Sequence, residues 1–340
     1  MNWRRHVVIS IVLALGVVLA LMLVADVRRT LRVIRDFRWV YVIPVVGFTL
    51  LNYALRFLKW HYYLYRLGIR SISWGDSWRV FVANFVMVMT PGKVGEVFKA
   101  YLLKQVTGTP MARSAPIVLA ERLTDGLAMA FLATVGLASY AAARTVVLVV
   151  VMGMMGFVVA VQVRPFVLTL LEWGSRLPHA RRLTETLRVL YESTYQLLRW
   201  EALIPAVILG FISWGGEGIA FYLILLGLGL DPSWSLLAHA VFILSFATIV
   251  GAVSALPGGL GAAEGSLTGL LLLLVTSDES LAVAATLLIR LFTLWFGVLL
   301  GAMVLVVYRR RFWPAAVPQE MLDFSLAAAE GDNSRPLREG

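Results

Sequence analysis

The sequence contains no cysteine and only four histidines, and just 15% of its 340 residues are charged. Without cysteine there is no disulfide framework, no thiolate metal site and no thiol nucleophile. His6, His61, His179 and His239 share no ligand spacing, so no metal site is expected. G-x-S-x-G, Walker A and H-E-x-x-H patterns are missing as well, which removes hydrolase and nucleotide-driven readings. The expectation is a protein that is not an enzyme, with no catalytic residues and no cofactor. The shortage of charge points the same way as the 60% hydrophobic content. A soluble domain of this size needs far more polar surface.

What is present is apolar length. The runs 7–25, 39–58, 126–143, 145–163, 202–230 and 281–308 reach or approach the ~20 residues a membrane helix needs. The first follows "MNWRRH" and is read as a retained helix: it is long for a signal peptide and lacks a clean cleavage site before "DVRRT". The net charge of +10 sits mostly beside these runs, which suits anionic headgroups rather than nucleic acid. Basic residues after the runs ending at 58, 163 and 308 place those regions in the cytoplasm, and acidic "TSDES" (276–280) outside. Residues 26–38 carry five arginines on the outer side of that scheme. Arg28, Arg32 and Arg35 share one face and Val27, Leu31 and Ile34 another, as in a helix lying in the interface. In 164–200, Leu183, Leu187, Leu190 and Leu198 form a stripe opposite charged residues. The aromatics of "WHYYLY" (60–65) have interfacial-belt composition. A transmembrane domain over 1–311 is expected, with a short disordered cytoplasmic tail over 312–340.

Two apolar regions interrupt themselves, with only short apolar stretches before and after each break, 78–90 and 97–103 in one and 236–256 and 267–275 in the other. Pro91-Gly92-x-x-Gly95 is followed by Glu96, and Pro257-Gly258-Gly259-x-Gly261 by Glu264. Arg122-Leu123 and Arg290-Leu291 follow at nearly matched distances, 31 residues after Pro91 and 33 after Pro257, and "YRLGI" (65–69) resembles "LLGLGL" (225–230). This pattern predicts a duplication with halves of about 6–143 and 145–308. Proline and glycine break a helix, and broken backbone is tolerated at membrane depth only inside protein or beside a cavity. The sequence therefore predicts an all-α polytopic membrane protein with six full spans and two re-entrant hairpins. The halves would form an inverted repeat with both termini cytoplasmic. Tight loops between ordinary short helices are the competing interpretation.

Charges inside such a bundle mark candidate site residues. Glu121, Arg122 and Asp125 lie within two turns of one helix, where Arg122 could bind a lipid phosphate flanked by the carboxylates, or simply pair with Asp125. Lys93 and Glu96 lie at the first turn, close to a helix N-terminus suited to an anion. Glu264 follows the second turn and suits a helix cap. Arg290 has no charged neighbour on its own segment, leaving Glu264 and Glu217 as partners; Arg56 and Asn84 are weaker candidates.

"TPGKVGEVFKAYLL", "LAERLTDGLAMAF" and "ALPGGLGAAEG" resemble the flippase-like transmembrane region of lysylphosphatidylglycerol synthases and its stand-alone relatives, over about residues 5–308. The resemblance implies a translocase of anionic, aminoacylated or polyprenyl- and sugar-linked lipids in the cytoplasmic (inner) membrane. It implies no synthase activity, because the soluble synthase domain does not follow. It points to Lys93, Glu96, Glu121, Arg122, Asp125 and Glu264 as motif positions. Membrane lipids, together with enzymes of lipid or glycan synthesis, are the expected partners. A secondary solute transporter and a non-transporting membrane scaffold are the alternative readings.

Overall fold

The computed structural model describes residues 26–89, 95–134, 141–175, 181–308 and 312, and among these there are helices and connections but no strand. The expected first span 7–25, the tail, and Pro91, Gly92 and Lys93 lie outside the described residues. The helices are α1 (Val27–Arg35), α2 (Val42–Arg66), α3 (Trp74–Ala83), α4 (Phe98–Thr107), α5 (Met111–Ala133), α6 (Ala141–Gln162) and α7 (Arg164–Ser175). They continue with α8 (Arg181–Leu198), α9 (Trp200–Gly227), α10 (Trp234–Val253), α11 (Ala262–Leu274), α12 (Glu279–Arg290) and α13 (Phe296–Val307). Among the described residues six segments are long and apolar enough to cross a membrane: Trp39–Arg66, Arg144–Gln162, Trp200–Gly227, Trp234–Val253, Pro257–Leu274 and Glu279–Val307.

Local chemistry sets the helix starts. Asp26 accepts from Arg29 N at 3.0 Å, Ser73 from Asp76 N at 3.1 Å, Ser233 from Leu236 N at 3.1 Å and Asp278 from Ser280 N at 2.9 Å. Each satisfies an orphan N–H of a first turn. The two long helices end alike. Gly68 (φ +68°) and Gly229 (φ +95°) take left-handed backbone, and the next residue's N–H reaches back five residues, Ile69 to Leu64 O and Leu230 to Leu225 O. Those segments are the "YRLGI" and "LLGLGL" that the sequence paired.

Helices α2 and α9 are antiparallel neighbours. At one end Arg38 N donates to Gly227 O at 2.9 Å; at the other Tyr62 Oη donates to Glu201 O at 3.1 Å. The first end carries α1 and the acidic loop, joined by Arg29–Asp278 at 2.7 Å. The second gathers basic segments: Arg113 donates to Leu67 O, Arg164 pairs with Glu192, and Arg79 stacks on Tyr308. Arginine-rich 26–38 and acidic 276–280 therefore share an end, opposite the other basic regions. In α1 the arginines are exposed; of the expected apolar face Val27 and Leu31 are exposed as well and Ile34 is half-buried, while Thr30, and Phe37 just beyond the helix, are buried.

Among the described residues the apolar side chains pack as two large clusters and a small one, in which Leu260 meets Leu294, Trp295 and Val298. One large cluster gathers Trp60, Tyr63, Phe81, Leu102, Ile117 and Leu197; the other gathers Phe37, Phe221, Phe242, Leu271 and Ile289.

Four expectations need correcting. Only residues 126–133 of the expected span 126–143 belong to α5, which starts at Met111 because Glu121, Arg122 and Asp125, which lower its hydropathy, lie inside it; 135–140 lie outside the described residues and Ala141 opens α6. Trp60 and Tyr63 of "WHYYLY" are fully buried rather than forming an interfacial belt. The expected leucine stripe of α8 divides: Leu183, Leu187 and Leu190 are exposed, whereas Leu198 is buried together with Tyr191, Thr194 and Leu197. The two arms around Pro257, expected to be short, are each long enough to span.

Candidate functional site

Helix α5 organises the charged interior. Its neighbouring residues Glu121 and Arg122 pair with residues one turn apart on the preceding segment: Lys99 with Glu121, and Arg122 through two nitrogens with Glu96. One turn further on, Asp125 pairs with Lys59 of α2, and Arg56 Nε lies 3.9 Å from its other oxygen. Lys59 is 1% exposed and also reaches Thr124 Oγ1 at 3.3 Å. Lys99 lies over the Trp60 ring, 4.7 Å from its centroid. Removing one partner of such a pair leaves an uncompensated charge in a low-dielectric interior.

The second motif is assembled in parallel fashion. Gly261 N donates to Glu264 Oε2 at 2.7 Å, the carboxylate half of a capping box at the start of α11. Glu264 Oε1 lies 2.6 Å from Arg290 Nε, and Arg290 Nη2 donates to Gly258 O at 2.8 Å. Gly258, Gly259 and Gly261 all have positive φ, and a Cβ on Gly259 would lie 3.0 Å from Gly251 Cα. Only glycine permits that conformation at this proximity to α10. The partners Glu96 and Arg122 are 26 residues apart, and Glu264 and Arg290 have the same separation. Arg122 is the twelfth residue of α5, and Arg290 the twelfth of α12.

Immediately after Arg290, Leu291–Trp295 forms a π-helical turn. Such turns release backbone groups and recur at functional sites. The Tyr53 hydroxyl takes up one of them, donating to Thr293 O at 2.5 Å.

Between the two motifs lies a cavity of about 130 Å³. Its polar lining is Arg56, Glu96, Arg122, Glu217, Arg290 and Thr248; Tyr53, Phe85, Leu244 and Leu267 supply apolar wall, and Gly258 and Gly259 bring backbone to its edge. Glu217 is 5% exposed. Among the described residues it takes part in no hydrogen bond and no ion pair. Trp214, one turn before it, stacks with Arg56 at 5.5 Å, and its indole N–H has no acceptor among the described residues.

The structure thus brings together Glu96, Glu121, Arg122, Asp125, Glu217, Glu264 and Arg290. Some roles change. Arg122 is held by Glu96 rather than by Asp125, and Glu96 is committed to a cation rather than helping to form an anion site. Arg290 takes Glu264 as partner and leaves Glu217 unpaired. Lys59 and Lys99, read from sequence as cytoplasmic basic residues, are buried ligands of α5 carboxylates. A sequence signal existed for both. Lys59 follows Arg56 by three residues and Lys99 follows Glu96 by three, so each shares a face with a charge that the bundle must satisfy. No group of three or more metal-ligating side chains occurs among the described residues.

The family profile described as "Lysylphosphatidylglycerol synthase TM region" matches residues 7–301. Two proteins of Methanothermobacter thermautotrophicus, each named UPF0104 membrane protein, are similar to this chain. One is 28% identical, covering 69% of this chain and 78% of the relative; the other is 26% identical, covering 84% and 88%. A UPF0104 membrane protein of Methanocaldococcus jannaschii is 25% identical, covering 66% of this chain and 95% of its own length. With a buried polar cleft inside an all-helical apolar bundle and a profile match over most of its length, this chain belongs to the lysylphosphatidylglycerol synthase transmembrane-region family of multi-pass membrane proteins.

Proposed function

We propose that the protein is a lipid translocase of the cytoplasmic membrane, in which an anionic headgroup passes through the arginine-lined cleft while the acyl chains stay in lipid. The observation that carries this reading is the cavity itself: three guanidinium groups, of Arg56, Arg122 and Arg290, line one small space within an apolar bundle. Guanidinium forks suit phosphate oxygens. The six apolar helices supply the membrane setting.

The architecture proposed for this activity is an inverted repeat with two re-entrant hairpins. A shift of 161 residues carries Gly68 onto Gly229, Asn52 onto Ser213 and Arg56 onto Glu217. Asn52 and Ser213 bond to one another reciprocally, Nδ2 to Ser213 O at 3.1 Å and Ser213 Oγ to Asn52 O at 3.3 Å. Equivalent residues of a two-fold repeat meet beside its axis, and the antiparallel course of α2 and α9 supports an axis that lies in the membrane plane. Two further facts support the hairpins. Helix α4 has ten residues, about 15 Å at 1.5 Å per residue, too short to cross ~30 Å of hydrocarbon. The second turn is bonded to Arg290, twelve residues into the 29-residue run Glu279–Val307, which is the depth of a broken-helix site.

The four satisfied ion pairs give a second reading some support, a non-transporting scaffold whose charges only lock helices. Mass spectrometry of lipids that co-purify with wild type, Arg122→Gln and Arg290→Gln separates the two. The translocase reading expects one anionic lipid class enriched over the bulk membrane and lost in the folded variants. Bulk proportions in all three would overturn it in favour of the scaffold.

A further inference from the structure

We infer that Glu217 is a proton-binding residue, and that its proton and an anionic headgroup enter the cleft together; this rests on the translocase reading and adds a source of energy to it. Four of the five carboxylates in and around the cleft, Glu96, Glu121, Asp125 and Glu264, are in ion pairs. Glu217 is equally buried and has none. A buried unpaired carboxylate is costly in an apolar interior, and a proton is the simplest species that neutralises it.

The groups that face Glu217 are already engaged. From α2 come Arg56, near Asp125 and stacked on Trp214, and Tyr53, donating to Thr293 O. From α5 come Arg122, held by Glu96, and Asp125, held by Lys59. Arg290 comes from α12 and is held by Glu264. Helix α10 lines the cavity with Leu244, Ala247, Thr248, Gly251 and Ala252, and its one titratable residue, His239, lies more than a turn outside that stretch. Helix α8 and the Trp39–Tyr41 turn meet α9 near its two ends, away from residue 217. The Asn52–Ser213 contact, one turn from Glu217 along α9, leaves Asn52 Oδ1 without a donor.

Charge balance gives the proton its role. Among the described residues Arg56, Lys59, Lys99, Arg122 and Arg290 face the four paired carboxylates and Glu217, so this set is neutral with Glu217 ionised and carries +1 with it protonated. The positive state suits an anionic headgroup, and the neutral state releases it. Because binding free energies are reciprocal, the headgroup also favours the proton. A proton gradient across the membrane would then bias the side on which the headgroup is taken up. A bound metal cation would meet Arg56, Arg122 and Arg290 in the same space, so the proton fits this site better.

The experiment has two readouts on the full chain in phosphatidylcholine nanodiscs, with wild type, Glu217→Gln and Glu217→Asp. Infrared difference spectra over a pH titration report protonated carboxyl groups whatever the lipid. A C=O band that titrates in wild type, moves in Glu217→Asp and is missing in Glu217→Gln is expected; a band unchanged in both variants, or absent from wild type, overturns the proton site. In parallel, binding of short-chain phosphatidylglycerol is measured against pH. In wild type it should tighten as pH falls, by up to about tenfold per pH unit, the limit for one linked proton. In Glu217→Gln it should be tight and independent of pH. Wild-type binding that ignores pH overturns the coupling. A titrating Glu217 band with no phosphatidylglycerol binding in any variant, but pH-linked binding of inorganic phosphate, overturns the headgroup reading and leaves the proton linkage standing.

Discussion

Lys59 shows how far a single side chain can depart from its sequence context. Its charge ends the apolar run 39–58, and hydropathy therefore places it at the membrane edge; the helix continues to Arg66 and the ammonium is buried on Asp125. Hydropathy adds residues one at a time, whereas a buried charge is decided by a partner on another helix. Glu121, Arg122 and Asp125 were legible as interior charges, but their pairing was not, because Lys59 lies 66 residues from Asp125 and Lys99 lies 22 from Glu121. Lys59→Met should cost about 3–5 kcal/mol, because Asp125 loses its closest cation. Thermal unfolding in detergent should show that loss, and Lys59→Met with Asp125→Leu should recover most of it. A double variant no more stable than the single would mean that the pair is not the source of the effect.

At the scale of elements, the sequence showed best where glycine was required. The Pro257 turn reads from sequence as a break, and the structure gives the reason: three left-handed glycines, one of them against the backbone of α10. Gly259→Ala adds a Cβ at φ +69° and 3.0 Å from Gly251 Cα. The left-handed conformation alone costs about 1–2 kcal/mol for a non-glycine residue, and the close contact adds to it. A clear drop in melting temperature is expected, whereas Gly108→Ala, also left-handed but with open space around it, should show only the conformational part. Equal losses would mean that packing against α10 contributes nothing. The clamp between α1 and α12 should behave differently. Arg29 and Asp278 are 59% and 28% exposed, so Arg29→Ala should cost less than about 1 kcal/mol and the difference should shrink in high salt. A larger loss would show α1 to be a structural member of the bundle rather than a surface helix. What the sequence could not supply here was helix length: the arms around Pro257 were read as short, yet α10 alone has 20 residues.

For the whole molecule, the matched spacings in the sequence become matched contacts. Glu96–Arg122 and Glu264–Arg290 have one separation, the two glycine caps close the same way, and Asn52 meets Ser213 across the proposed axis. Periodicity could suggest the duplication, but only three-dimensional packing shows that α2 and α9 run in opposite directions. The membrane side of each end follows from neither. An absence helps at this point: with no native cysteine, one introduced thiol reports one position. If the halves are inverted and each turn is re-entrant, a membrane-impermeant maleimide should label Val94→Cys only from the cytoplasm and Leu260→Cys only from outside. Both residues labelling from the same side would make the halves parallel and remove the inverted repeat, while labelling on exchanged sides would keep the repeat and reverse the orientation drawn from the basic residues. Labelling from opposite sides would also fit the charge of the cleft, since each entrance would then lead to its own Glu–Arg pair, with Arg56 and Glu217, matched in position but opposite in sign, lining the space between them.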